Sequence, residues 1–115
     1  MTAQQPEPAT IAGYHAHIYF VDANREYAAE IRGIIAERFD VEMGRWHDRL
    51  VGPHTRAMYQ VSFAPKVFAE FVPWLMVNHG DLAVFIHPRS GDDVADHTDY
   101  ALWLGEKLDL DLSVL

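Results

Sequence analysis

From Tyr14 to Val21 the chain alternates without a break, Tyr14, Ala16, Ile18 and Phe20 falling on one side and His15, His17 and Tyr19 on the other. A period of two is that of a strand with one face against a core. Two imidazoles at i and i+2 then point the same way, close enough to share one ion or one substrate. Whatever the fold, it must put an apolar layer under one side of this strand and leave a histidine-bearing side facing elsewhere.

The rest of the chain supplies that layer. Asp22 can cap a helix running to Phe39, because Tyr27, Ile31, Ile34, Ile35 and Phe39 recur at helical spacing despite Gly33. Val41–Leu50 and Ala57–Phe63 read as strands joined by a turn around Gly52-Pro53, the first more polar and nearer an edge. Pro65 suits the first turn of a second helix striped by Val67, Phe68, Phe71, Val72 and Leu75; Pro73 should kink it and Asn78-His79-Gly80 end it. Leu82–His87 is a fourth strand. The order β-α-β-β-α-β is that of the ferredoxin-like α+β folds, an antiparallel sheet with both helices on one face. A short helix from Asp96-His97-Thr98 to Trp103, stopping at Gly105, and a last strand alternating through Leu108, Leu110, Leu112 and Val114 complete the expectation.

With 115 residues and 50% hydrophobic content the chain can bury one core but not two. We read 1–12 as a flexible arm without the marks of a secretion signal and 13–115 as a single domain, of a size that commonly pairs. A net charge of −8 argues against nucleic acid and anionic membrane partners. No apolar run approaches the roughly 20 residues that span a bilayer, which leaves the cytoplasm as the expected compartment. The absence of cysteine excludes disulfides, thiolate metal sites and a cysteine nucleophile, so any metal must be held by nitrogen and oxygen.

In a four-one-three-two strand order, with the first strand antiparallel to the fourth and parallel to the third, four histidines meet at one end of the sheet. His15 and His17 begin the first strand, His87 ends the fourth and His54 precedes the third, and the alternation puts His15, His17 and His87 on the helix-free, uncovered face. A strand histidine is commonly a satisfied polar residue; four from separate elements point to a metal or to proton transfer. His47 is held as a neighbour of the site, His79 as a helix-terminal residue, and His97, beside Asp96, as a cap position. Arg45, Arg49, Arg56 and Arg89 are candidates to grip a substrate carboxylate, the alternative being surface ion pairing. Tyr19, on the histidine face, joins them as a candidate substrate contact.

His15-Ala16-His17-Ile18-Tyr19-Phe20, Gly52-Pro53-His54, Val72-Pro73-Trp74-Leu75, His87-Pro88 followed by Gly91, and Asp96-His97-Thr98 together resemble the DOPA 4,5-dioxygenase family. The resemblance runs from about Gly13 to the C-terminus. It implies a ferredoxin-like homodimer and an extradiol cleavage in which non-haem iron(II) and dioxygen open a catechol such as DOPA. His17, His54 and His87 are then the first choice of ligands, with His15 a fourth ligand or the acid–base residue; His15 and His17 can exchange roles. No carboxylate shares the strand face, so the site is all-histidine unless Glu42 or Asp96 arrives from elsewhere, and zinc or manganese stands beside iron. Two other readings are a cofactor-free dimeric α/β-barrel monooxygenase or isomerase and a non-enzymatic metal- or ligand-binding domain.

Overall fold

The computed structural model describes Ala3 and residues 5–115. Of the arm expected over 1–12, residues 1, 2 and 4 lie outside the described residues; Pro8–Thr10 forms a 3-10 turn, and the Ala12 N–H donates to the Arg89 carbonyl.

Among the described residues five strands make one sheet: β1 (Tyr14–Tyr19), β2 (Glu42–His47), β3 (Met58–Phe63), β4 (Ala83–Pro88) and β5 (Leu102–Leu104), in the spatial order β2-β3-β1-β4-β5 with every neighbouring pair antiparallel. Helices α1 (Arg25–Arg38) and α2 (Phe68–Asn78) complete the β-α-β-β-α-β core. The alternation of β1 behaves as its sequence requires. Ala16, Ile18 and Phe20 are buried with Val84 and Ile86 of β4 against Ile31 and Ile35 of α1 and Phe71, Val72 and Leu75 of α2. Each fully buried side chain of this size is worth about 1.5–3 kcal/mol against exposure, so slipping β1 by one residue would forfeit several such burials.

One expected direction is wrong. The first and third strands were expected to run parallel, yet Tyr14 pairs with Phe63 and Tyr19 with Met58, which makes β1 and β3 antiparallel. The cause is topological: α1 carries the chain back so that β2 repeats the direction of β1, and the β2–β3 hairpin must then reverse it. His54, which precedes β3, therefore lies beside the Tyr19 end of β1, and the histidines spread along a face instead of gathering at one end of the sheet.

The C-terminal elements also fall differently. The short helix, α3, spans Asp93–His97, opened by Asp92, whose side chain accepts the Ala95 N–H; Leu102–Leu104, expected as helix, pairs with Val84–Ile86 instead. The strand expected from Leu108 to Val114 is a strap with a 3-10 turn at Leu112–Val114. Its backbone bonds go to a loop: the Asp111 N–H donates to the Pro53 carbonyl, and Thr55 Oγ donates to the Asp109 carbonyl. Leu108 is buried with Tyr19, Met58, Ala83 and Phe85, so the histidine face is partly roofed and not uncovered as expected.

At the other end of β1, Asp22 does not cap α1. It lies in a 3-10 turn (Asp22–Asn24), where Asn24 Oδ1 accepts the Val21 N–H. Strand β2 shifts register between Met43 and Trp46, where a Cβ on Gly44 would stand 2.9 Å from the Gln60 carbonyl oxygen. Only glycine lets the strands approach so closely there.

Candidate metal centre

Register places the first three imidazoles. His15 is the direct partner of His87 across the β1–β4 ladder, and His17 stands two residues further along the same face, opposite Phe85. His15, His17 and His87 each offer a ligand nitrogen, all within 4.8 Å of one another. His17 Nε2 and His87 Nε2 are 3.1 Å apart. Two nitrogens bound to one ion at about 2.0–2.1 Å, with a bond angle of roughly 90–110°, lie about 2.9–3.4 Å from each other. The donor set and this spacing fit a divalent transition ion.

The imidazoles are also in the right protonation state. Burial, reinforced by the mutual repulsion of neighbouring imidazolium charges, holds His17 well below its ordinary value. Burial, the largest cause for both, pushes His54 and His87 down to about 4, and it lowers half-exposed His15 as well. Neutral imidazoles are what a metal requires. His87 Nδ1–H donates to the Pro88 carbonyl at 2.8 Å, which fixes its tautomer and turns a bare Nε2 toward His17. His17 Nδ1 is buried without a partner among the described residues.

His54 arrives by another route. Gly52, at φ +54°, turns the chain, and the His54 N–H donates to the Val51 carbonyl. The ring then sits 4.2 Å from that of His17, with Nδ1 2.7 Å from the Tyr19 hydroxyl. His54 thus flanks the three-histidine group, and one of its nitrogens is already engaged.

These histidines line a cavity of about 490 Å³, within the usual range for small-molecule sites. His97 of α3 forms part of its wall, its ring 4.4 Å from that of His87 and its Nδ1–H donating to the Asp93 carbonyl. Asp96 is buried beside the cavity with both oxygens engaged, one by the Ser90 N–H and one by the Ser90 hydroxyl at 2.6 Å. It pins the loop after β4. Glu42 is exposed at the start of β2 and borders a different groove, so neither carboxylate joins the three-histidine group.

The proposed substrate contacts separate. Arg89 lines the cavity, whereas Arg45 borders a neighbouring groove with His47, Arg56 pairs with Glu106 at 3.0 Å, and Arg49 is exposed. Tyr19 is fully buried behind His54 and does not form the cavity wall. Sequence reasoning missed two residues. Phe85 stacks on Trp103 at 4.6 Å and contacts His17, His87 and His97; it reads as an ordinary core position until strand pairing puts it opposite His17. Gln60, the β3 partner of His17, lines the cavity and carried no sequence signal beyond its place in the alternation.

Known proteins share this arrangement of chain. A solved structure from Nostoc punctiforme, provisionally described as a dioxygenase, superposes with a TM-score of 0.94 at 46% identity, over 96% of both chains. An uncharacterised 21.2 kDa protein of Botryotinia fuckeliana is 36% identical over 96% of this chain and 68% of its own length. A DOPA 4,5-dioxygenase of Amanita muscaria is 29% identical over 91% of this chain, which spans only 50% of that protein. Residues 14–114 match the Dopa 4,5-dioxygenase family. A chain matched over nearly its whole length, and folded like a relative at 46% identity, belongs to the Dopa 4,5-dioxygenase family, whose name places it among the oxidoreductases.

Proposed function

We propose that the chain is an extradiol dioxygenase that opens the ring of a catechol, DOPA or a related phenolic acid, with iron(II) and dioxygen. The observation that carries this reading is the pair of Nε2 atoms of His17 and His87, 3.1 Å apart with His15 beside them, on the wall of a cavity of about 490 Å³. His15, His17 and His87 would hold the ion. When bound, the metal would supply a Lewis-acid anchor for the catechol oxygens and a path for electrons from the catechol to dioxygen. Around it the chain's own groups bind and orient. Arg89 can take a substrate carboxylate in a two-pronged hydrogen bond, Phe85 and Trp103 stiffen the wall behind the imidazoles, and the Pro88 carbonyl holds His87 by its Nδ1–H. A homodimer, a cytoplasmic setting and a functional unit over 13–115 belong to the same reading.

The test is anaerobic reconstitution with iron(II), followed by a panel of catechols with oxygen uptake and visible absorbance recorded. Oxygen consumption matched to a yellow ring-opened product is expected. Iron-loaded protein that binds catechols but consumes no oxygen would make this chain a binder and overturn the reading.

A further inference from the structure

The hydroxyl of Tyr19 and Nδ1 of His54 meet at 2.7 Å, and only one of them can be the donor. Tyr19 is fully buried, and its hydroxyl has no other partner among the described residues. If Nδ1–H donated to the tyrosine oxygen, the phenolic hydrogen would be left buried without an acceptor, a costly arrangement. If the hydroxyl donates to Nδ1, every buried donor of the pair is satisfied. The proton of the imidazole then sits on Nε2, which has no hydrogen-bond partner among the described residues and is not buried away from the cavity. His54 lines the cavity, so this N–H is offered to whatever the cavity holds.

We propose that Tyr19 is a positioning residue that holds His54 in the Nε2–H tautomer, making His54 a hydrogen-bond donor to an anionic oxygen in the cavity and not a metal ligand. The anion would be the deprotonated hydroxyl of a phenol or catechol, and in that respect the inference rests on the function proposed above. The loop that carries His54 is held to suit: the strap accepts from Thr55 Oγ at the Asp109 carbonyl and donates from the Asp111 N–H to the Pro53 carbonyl. A donor facing a ligand oxygen needs a fixed ring, and the hydroxyl, the turn and the strap fix it from three sides.

The tautomer is read directly from long-range proton–nitrogen spectra of the metal-free, nitrogen-15-labelled full chain. Wild type is expected to show His54 with a protonated Nε2 and a bare Nδ1; the opposite pattern overturns the proposal without any variant. Tyr19→Phe removes only the hydroxyl and should turn His54 into a mixture of tautomers, whereas an unchanged single tautomer would show that Tyr19 does not hold it. Calorimetric titration with cobalt(II) is expected to give His54→Ala an affinity within about threefold of wild type, and loss of binding would make His54 a ligand after all. In iron-loaded enzyme His54→Ala should raise KM for a catechol about 10–100-fold with kcat changed less, while His54→Gln, which restores an N–H, recovers part of that loss; equal loss in both overturns the donor role. A wild-type chain that takes up no divalent metal would defeat the proposed function, while the metal-free spectrum would still decide the Tyr19–His54 pair.

Discussion

Two imidazole nitrogens facing each other at 3.1 Å cannot both carry a proton, and with His87 Nδ1–H committed to the Pro88 carbonyl only His17 can be the donor between them. A metal would replace that single proton and use both lone pairs. His87→Ala and His17→Ala are therefore expected to lower divalent-metal affinity by more than about 100-fold, beyond the 10–100-fold that changes around a ligand cost. Metal analysis of purified protein, with circular dichroism to verify the fold, checks this. Arg89 makes a different kind of contribution. Arg89→Ala should raise KM for a catechol bearing a carboxylate by about 10–100-fold, the worth of a charge-assisted hydrogen bond of about 1.5–3 kcal/mol, and leave KM for unsubstituted catechol nearly unchanged.

The strap from Leu108 to Val114 does for the His54 loop what β3 and β4 do for β1, but through a few bonds and one buried leucine. Leu108 is 8% exposed in the cluster that contains Tyr19 and Phe85. Leu108→Ala should cost about 2–3 kcal/mol, at the lower end for a buried leucine because the surrounding segment can settle, as measured by denaturant unfolding. Glu106→Gln, which breaks the exposed pair with Arg56, should cost under about 1 kcal/mol. Elements whose hydrophobic period coincides with their hydrogen bonding were legible in the sequence: β1, β3, β4 and both long helices. The strap was not, because Leu108, Leu110 and Leu112 alternate equally well whether the backbone bonds to a strand or to a loop. The same limit applied to the site. His15, His17 and His87 follow from the pairing of β1 with β4, whereas the engagement of Asp96 by Ser90 and the place of Phe85 depend on side-chain packing that no spacing encodes.

At the scale of the whole molecule the histidines make the fold sensitive to acid. His54 and His87 titrate near 4 in the native state, against about 6.5 when unfolded, so between those values the unfolded chain binds protons that the native chain refuses. Stability should be full above pH 6.5 and fall as pH drops toward 4. Equilibrium denaturation of metal-free protein across that range checks the direction, and a stability that rose on acidification would contradict the burial of these rings. Metal bound to the native state alone should raise the midpoint further at neutral pH and lose that effect on acidification.

The strand that bears His15 and His17 is the middle one of five, bonded on one flank to β3 and on the other to β4. Its amides should be among the slowest in the molecule to exchange with deuterium, opening only when the whole domain opens. The loop bearing His54 and the short helix bearing His97 should exchange sooner. A chelator would then strip the ion in two regimes: quickly where loop movement suffices to bare it, and otherwise at the pace of global unfolding. The second regime is expected here, because two of the three nitrogens sit on a backbone that has no edge to peel from.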